Sequence, residues 1–84
     1  MAKQWEPSQE LLDFTLKGLR EGKSTDYMAG ELAGRDRIRD GRYKNIENEY
    51  PRLIYLQGKQ FADGCRDTIQ AFLQLQRIGE AALL

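Results

Sequence analysis

Two pairs of aspartates, Asp36/Asp40 and Asp63/Asp67, are spaced four residues apart, which on a helix puts both carboxyls of a pair on one face. Paired carboxylates can hold a metal ion or serve as acid and base. The rest of such a metal site is missing. The chain has no histidine and one cysteine, Cys65, whereas four-helix carboxylate centres add a histidine three residues after a glutamate. The same two counts exclude a Cys/His zinc site, a Ser-His or Cys-His nucleophile and an intramolecular disulfide. Arg35, Arg37 and Arg39 stand beside the first pair and Arg66 beside the second. Ion pairing is therefore the expected role of all four aspartates.

Gly18, Gly22, Lys23, Ser24 and Thr25 have the residue types of a phosphate-binding loop. That loop needs five steps between its glycines and a buried strand before it; here the spacing is four and the preceding segment is amphipathic. A helix end followed by a helix start is the expected structure. Cys65 shares a helical face with Gly58 and Ala62, so packing is its expected role. Trp5, ahead of Pro7, either folds onto the first helix or stands as an exposed contact.

One charge concentration stands out. Residues 35–44 carry Arg35, Arg37, Arg39, Arg42 and Lys44 against Asp36 and Asp40. Such a cluster could contact phosphates or an acidic protein surface, and arginine suits bidentate recognition of either. It could equally be a solvated helix face with internal ion pairs. The whole chain balances 13 basic against 13 acidic side chains, so any nucleic-acid attraction must come from this patch.

Met28, Ala29, Leu32 and Gly34, followed by Tyr50-Pro51, give residues 24–43 a pattern that resembles the helix-turn-helix at the start of phage terminase small subunits. The chain departs from it at Arg39, where the second helix of such a unit turns an apolar residue inward. The resemblance implies a DNA-binding regulator or packaging protein that uses the basic cluster.

The elements that must position these residues read as helices. Pro7-Ser8 ahead of Leu11, Leu12, Leu16 and Leu19 predicts a helix over 9–21, capped by Ser8 and ended by Gly22. Ser24 or Thr25 opens a second helix over 25–48, unless Gly34 or Gly41 breaks it. Tyr50-Pro51 marks the next boundary, and a third helix is expected over 51–78, with Gly79 ending it. No segment alternates as a strand does.

Small residues gather on both long helices, at Ala29, Gly30, Ala33, Gly34 and Gly41 and at Gly58, Ala62, Gly64 and Cys65. An antiparallel hairpin about Tyr50-Pro51, with paired positions summing to about 99, sets small against small and lets the axes approach below the usual spacing. It pairs Gly41 with Gly58, Gly34 with Cys65, Gly30 with Ile69 and Tyr27 with Phe72. It also brings Asp40 near Lys59 and Arg35 near Asp63.

With 84 residues the chain suffices for one domain over 1–84. The expected fold is all-α, with three helices. Leu53, Leu56, Leu73 and Leu83 lie away from the small-residue face, so the hairpin is expected to complete its core by oligomerisation. The opening residues carry no apolar run, and the longest uncharged stretch, residues 68–76, is far short of the roughly 20 apolar residues of a membrane span. With a lone cysteine besides, a cytoplasmic chain with no membrane role is expected. Neither a cofactor nor a catalytic set is expected. The leading expectation is a non-enzymatic protein-binding module, of a size and style found among bacterial and phage accessory or inhibitor proteins. The rival is the DNA-binding role implied above.

Overall fold

The computed structural model describes residues 8–83, so Trp5 lies outside the described residues. Among the described residues the chain is all-helical, with four helices: α1 (Gln9–Arg20), α2 (Thr25–Arg39), α3 (Ile46–Gln57) and α4 (Lys59–Leu83). The expected α1 forms almost to the residue. The Ser8 hydroxyl accepts from the Leu11 amide at 3.2 Å. At the other end, the Gly22 amide donates to Leu19 and the Lys23 amide to Gly18, closing a Schellman turn. Ser24 then caps α2 by accepting from the Tyr27 amide at 3.1 Å.

The other two expected helices are redrawn. The second does not reach residue 48. It stops at Arg39, where Gly41, at φ +73°, lets the Gly41 and Arg42 amides donate back to Ile38 and Arg37 in a second Schellman turn. The third expected helix is two helices. Gly58, at φ +93° and ψ 161°, separates α3 from α4 with one residue, a backbone conformation almost confined to glycine. Pro51 is no boundary, for it sits one turn inside α3. The backbone acceptor it leaves unpaired there belongs to Glu47, which is exposed to water. Gly79 does not end the last helix, which runs on to Leu83.

These two reversals change the topology of the hairpin. The antiparallel pair is α3 with α4, turning at Gly58: Tyr50 donates its hydroxyl proton to Asp63, and Gln70 donates to Glu47. The small-residue seam joins α2 to α4, and these two run parallel. Ser24 lies against Gln60, Gly30 against Phe61 and Cys65, and Gly34 against Cys65 and Thr68, so the numbers rise together.

The seam is as close as its residues suggest. A methyl carbon at Gly30 would stand 2.0 Å from the Phe61 carbonyl oxygen, and one at Gly64 2.1 Å from that of Tyr27. Gly34 does face Cys65, as expected, whereas Gly30 does not meet Ile69. Gly41 and Gly58 are turn residues outside the seam. Phe72 packs edge-on against Tyr43, with ring centroids 5.1 Å apart, and not on Tyr27. Asp40 pairs with Arg42, Lys59 with Asp63, and Arg35 stacks on Phe14.

Ile46, Leu53, Ala62, Cys65 and Ile69 form the core, with Ala33, Ile38, Tyr43, Tyr50, Ile54, Phe61 and Leu73 packed around it. Helix α1 is the loosely held element. It docks on α2 through Gly18 against Met28 and through Phe14 against Arg35. Its Leu12, Leu16 and Leu19 remain 41–53% exposed. Among the described residues no helix is long and apolar enough to cross a membrane.

Candidate functional site

The break at Gly41 builds a concavity of about 600 Å³ where α2 turns into α3. Arg37 reaches it from the last turn of α2, Arg42, Lys44 and Asn45 from the connection, and Glu49, Arg52, Leu53 and Leu56 from α3. Positions 49, 52, 53 and 56 follow the i, i+3, i+4, i+7 spacing, so one face of α3 supplies all four. The rim is cationic, with four basic side chains to one carboxylate. Leu53 is buried beneath it, and Leu56 is 57% exposed.

Two of those cations are already engaged. Arg37, with its side chain 20% exposed, is ion-paired with Glu49, which ties the end of α2 to the start of α3. Arg42 pairs with Asp40 at 3.1 Å. Lys44 and Arg52 have no ion pair among the described residues. A basic concavity with low-dielectric walls concentrates field and favours an anionic group.

The five basic residues singled out in the sequence thus do not form one face. Arg37, Arg42 and Lys44 converge on the concavity, whereas Arg39 pairs with Asp36 at 2.9 Å and Arg35 covers the Phe14 ring at 4.6 Å. Arg52, Leu53 and Leu56 were not singled out as part of a site. The signal that could have found them is Asp40-Gly41, a turn dipeptide, which folds α3 back beside Arg37.

The aspartate pairs are spent on ion pairs and hydrogen bonds. Asp63 accepts from Lys59 at 2.7 Å and from the Tyr50 hydroxyl, with Arg66 3.8 Å away and stacked over the Tyr50 ring. The Lys59 bond, followed by the Tyr50 bond, holds the Asp63 carboxyl below its ordinary range, and the same contact raises Lys59. Asp67 accepts from the Tyr27 hydroxyl at 2.7 Å. Burial, reinforced by that bond, pushes Tyr27 up to about 12. Among the described residues no group of three His, Cys, Asp or Glu is arranged to hold a metal ion.

Gly18, Gly22, Lys23 and Ser24 form the two helix ends expected of them. Lys23 is occupied by Glu31 at 3.1 Å and Glu21 at 3.3 Å, and the Glu31 bond raises its pKa. The concavity nearby, between α1 and α2, mixes Glu10, Asp13, Glu21 and Glu31 with Lys17, Lys23 and Arg35, and so favours neither sign of ligand. Cys65 is fully buried, and burial pushes its thiol up, away from reactivity. Comparison of the chain with protein-family models, with curated proteins and with solved structures gives no match.

Proposed function

We propose that this chain is a non-enzymatic binding module, of the accessory or inhibitor kind, that receives an acidic segment of a protein partner in the α2–α3 concavity. The observation that carries the reading is that four cations and the exposed Leu56 line one concavity, with Leu53 buried beneath it. A phosphodiester backbone has use for the cations alone. An acidic helix or strand with an apolar side chain uses both, the carboxylates on Arg52 and Lys44 and the apolar anchor on Leu56. Arg37 and Glu49 hold the two walls in register before any partner arrives.

Duplex DNA is the second reading, favoured by the same excess of cations. The helix-turn-helix resemblance adds little to it, because Gly34 lies inside continuous α2 and leaves no turn there.

Titrating the protein with a labelled Glu/Leu-rich peptide and with random duplex DNA, each at low and moderate salt, tests both. The expected result is saturable peptide binding, abolished by Arg52→Glu together with Lys44→Glu. DNA binding that exceeds peptide binding and falls steeply with salt establishes the second reading, since phosphate contacts release counterions. A protein that binds neither overturns both.

A further inference from the structure

The chain has eight glycines, and seven have a structural reason to be glycine. Gly22, Gly41 and Gly58 have positive φ, and at Gly18, Gly30, Gly34 and Gly64 an added methyl carbon would meet a neighbour at 3.1 Å or less. Gly79 is helical, and a methyl carbon there would meet nothing within 4 Å. A glycine inside a helix without such a reason is unfavourable relative to alanine.

Its neighbours supply the reason. Phe61, Cys65 and Thr68 form the stripe of α4 against which α2 packs. Continued at the same alternation of four and three residues, that stripe reaches Phe72, Leu75, Gly79 and Ala82. Helix α2 ends at Arg39, about level with Phe72 in this parallel register, so α2 stops short of Leu75, Gly79 and Ala82. Phe72 is half-buried against Tyr43, while Leu75 is 67% exposed. No charged residue lies on the stripe; Arg77 and Glu80 fall outside it at 100° per residue.

We infer that the free end of α4 is a seam for a second copy of this chain, in antiparallel register about residue 77. In that register Leu75 of each copy faces Gly79 of the other, and Phe72 faces Ala82. Every layer then sets a large side chain against a small one, so the stripe is complementary to itself, as a two-fold interface must be. It continues the kind of packing that α2 and α4 already make, and equal numbers of basic and acidic residues leave no net charge to drive two copies apart. The overlap spans about 15 Å of helix, so the pair is a weak dimer. The seam is separate from the basic concavity, and the two proposals stand or fall independently.

Light scattering on the full chain, over a concentration series into the high micromolar range, is expected to show a mass rising from 9.7 kDa toward twice that value. Gly79→Gln is a better helix former with room in the monomer, yet it blocks the approach of Leu75. It should weaken the dimer about ten- to hundredfold with the monomer fold unchanged by circular dichroism. Register is read by oxidative cross-linking. An equimolar mixture of Leu75→Cys and Gly79→Cys chains should cross-link, while Gly79→Cys alone should not, and buried Cys65 takes no part. A mass of 9.7 kDa at every concentration, a dimer indifferent to Gly79→Gln, or efficient cross-linking of Gly79→Cys with itself each overturns the inference.

Discussion

Gly30 is the residue on which the molecule closes most tightly. Its missing side chain lets the Phe61 carbonyl approach to where a methyl carbon would sit at 2.0 Å, and backbone cannot rotate aside as a side chain can. Gly30→Ala should destabilise the protein by about 1–3 kcal/mol, against the helix propensity of alanine. Gly34→Ala should cost less, because its nearest obstacles, the Cys65 carbonyl oxygen and the Thr68 Cβ, stand at 2.9 Å, so a smaller shift relieves them. Thermal melts of both variants beside the parent give the comparison. Tyr27, across the same seam, supplies a pH dependence. Folded, it ionises at about 12, against 10.0 for an ordinary tyrosine. A raised value favours the neutral form in the native state, so this contribution is complete below about pH 10 and is lost as pH climbs toward 12. Melting temperatures taken at about pH 8 and about pH 11 should differ less for Tyr27→Phe than for the parent. Some difference will persist, since Lys23 and Lys59 are also raised by their carboxylate partners.

The reversals between helices belong to a different scale, where backbone conformation outweighs contact. At Gly58 an added methyl carbon meets nothing within 4 Å, yet φ +93° is strained for any other residue. Gly58→Ala should therefore destabilise by about 1–3 kcal/mol with no clash to relieve, and denaturant melts should show it at full size. The same distinction explains what the sequence disclosed. Helix α1, the caps at Ser8 and Ser24, the Gly22 stop and the existence of a small-residue seam were all legible, because each rests on local chemistry or on helical spacing. Gly58 reads from the sequence as a seam residue and Gly41 as either a seam residue or a break, because glycine serves both a close approach and a left-handed turn, and spacing alone does not separate the two; at Gly41 the break is what forms. Pro51 misleads in the opposite sense, since a proline inside a helix leaves unpaired one backbone acceptor, here that of the exposed residue Glu47. The candidate site was half legible for the same reason. Arg37, Arg42 and Lys44 belong to the basic cluster, whereas Arg52, Leu53 and Leu56 join them only once the chain reverses at Gly41.

As a whole the molecule measures 54 × 32 × 29 Å, and its cohesion is uneven along that length. The α2–α4 seam and the α3–α4 pair share one core, while α1 adds a single buried glycine, Gly18, against Met28. Local opening should follow that gradient. Amide hydrogen exchange in α1 is expected to be the fastest of the four helices, and exchange around Gly64, Cys65 and Ile69 the slowest. Equal protection across α1 and α4 would mean that α1 is held far more firmly than its contacts with Met28 and Arg35 provide. The parallel course of α2 and α4 bears on how the chain reaches this state at all. Helices α3 and α4 are joined by one residue and can zip together as soon as both exist, whereas Gly30 must find Phe61 across both reversals. Loop closure is paid before distant contacts return anything. The tightest joint in the folded protein is thus expected to be the last to shut, a latch that engages only when the rest of the chain is in place.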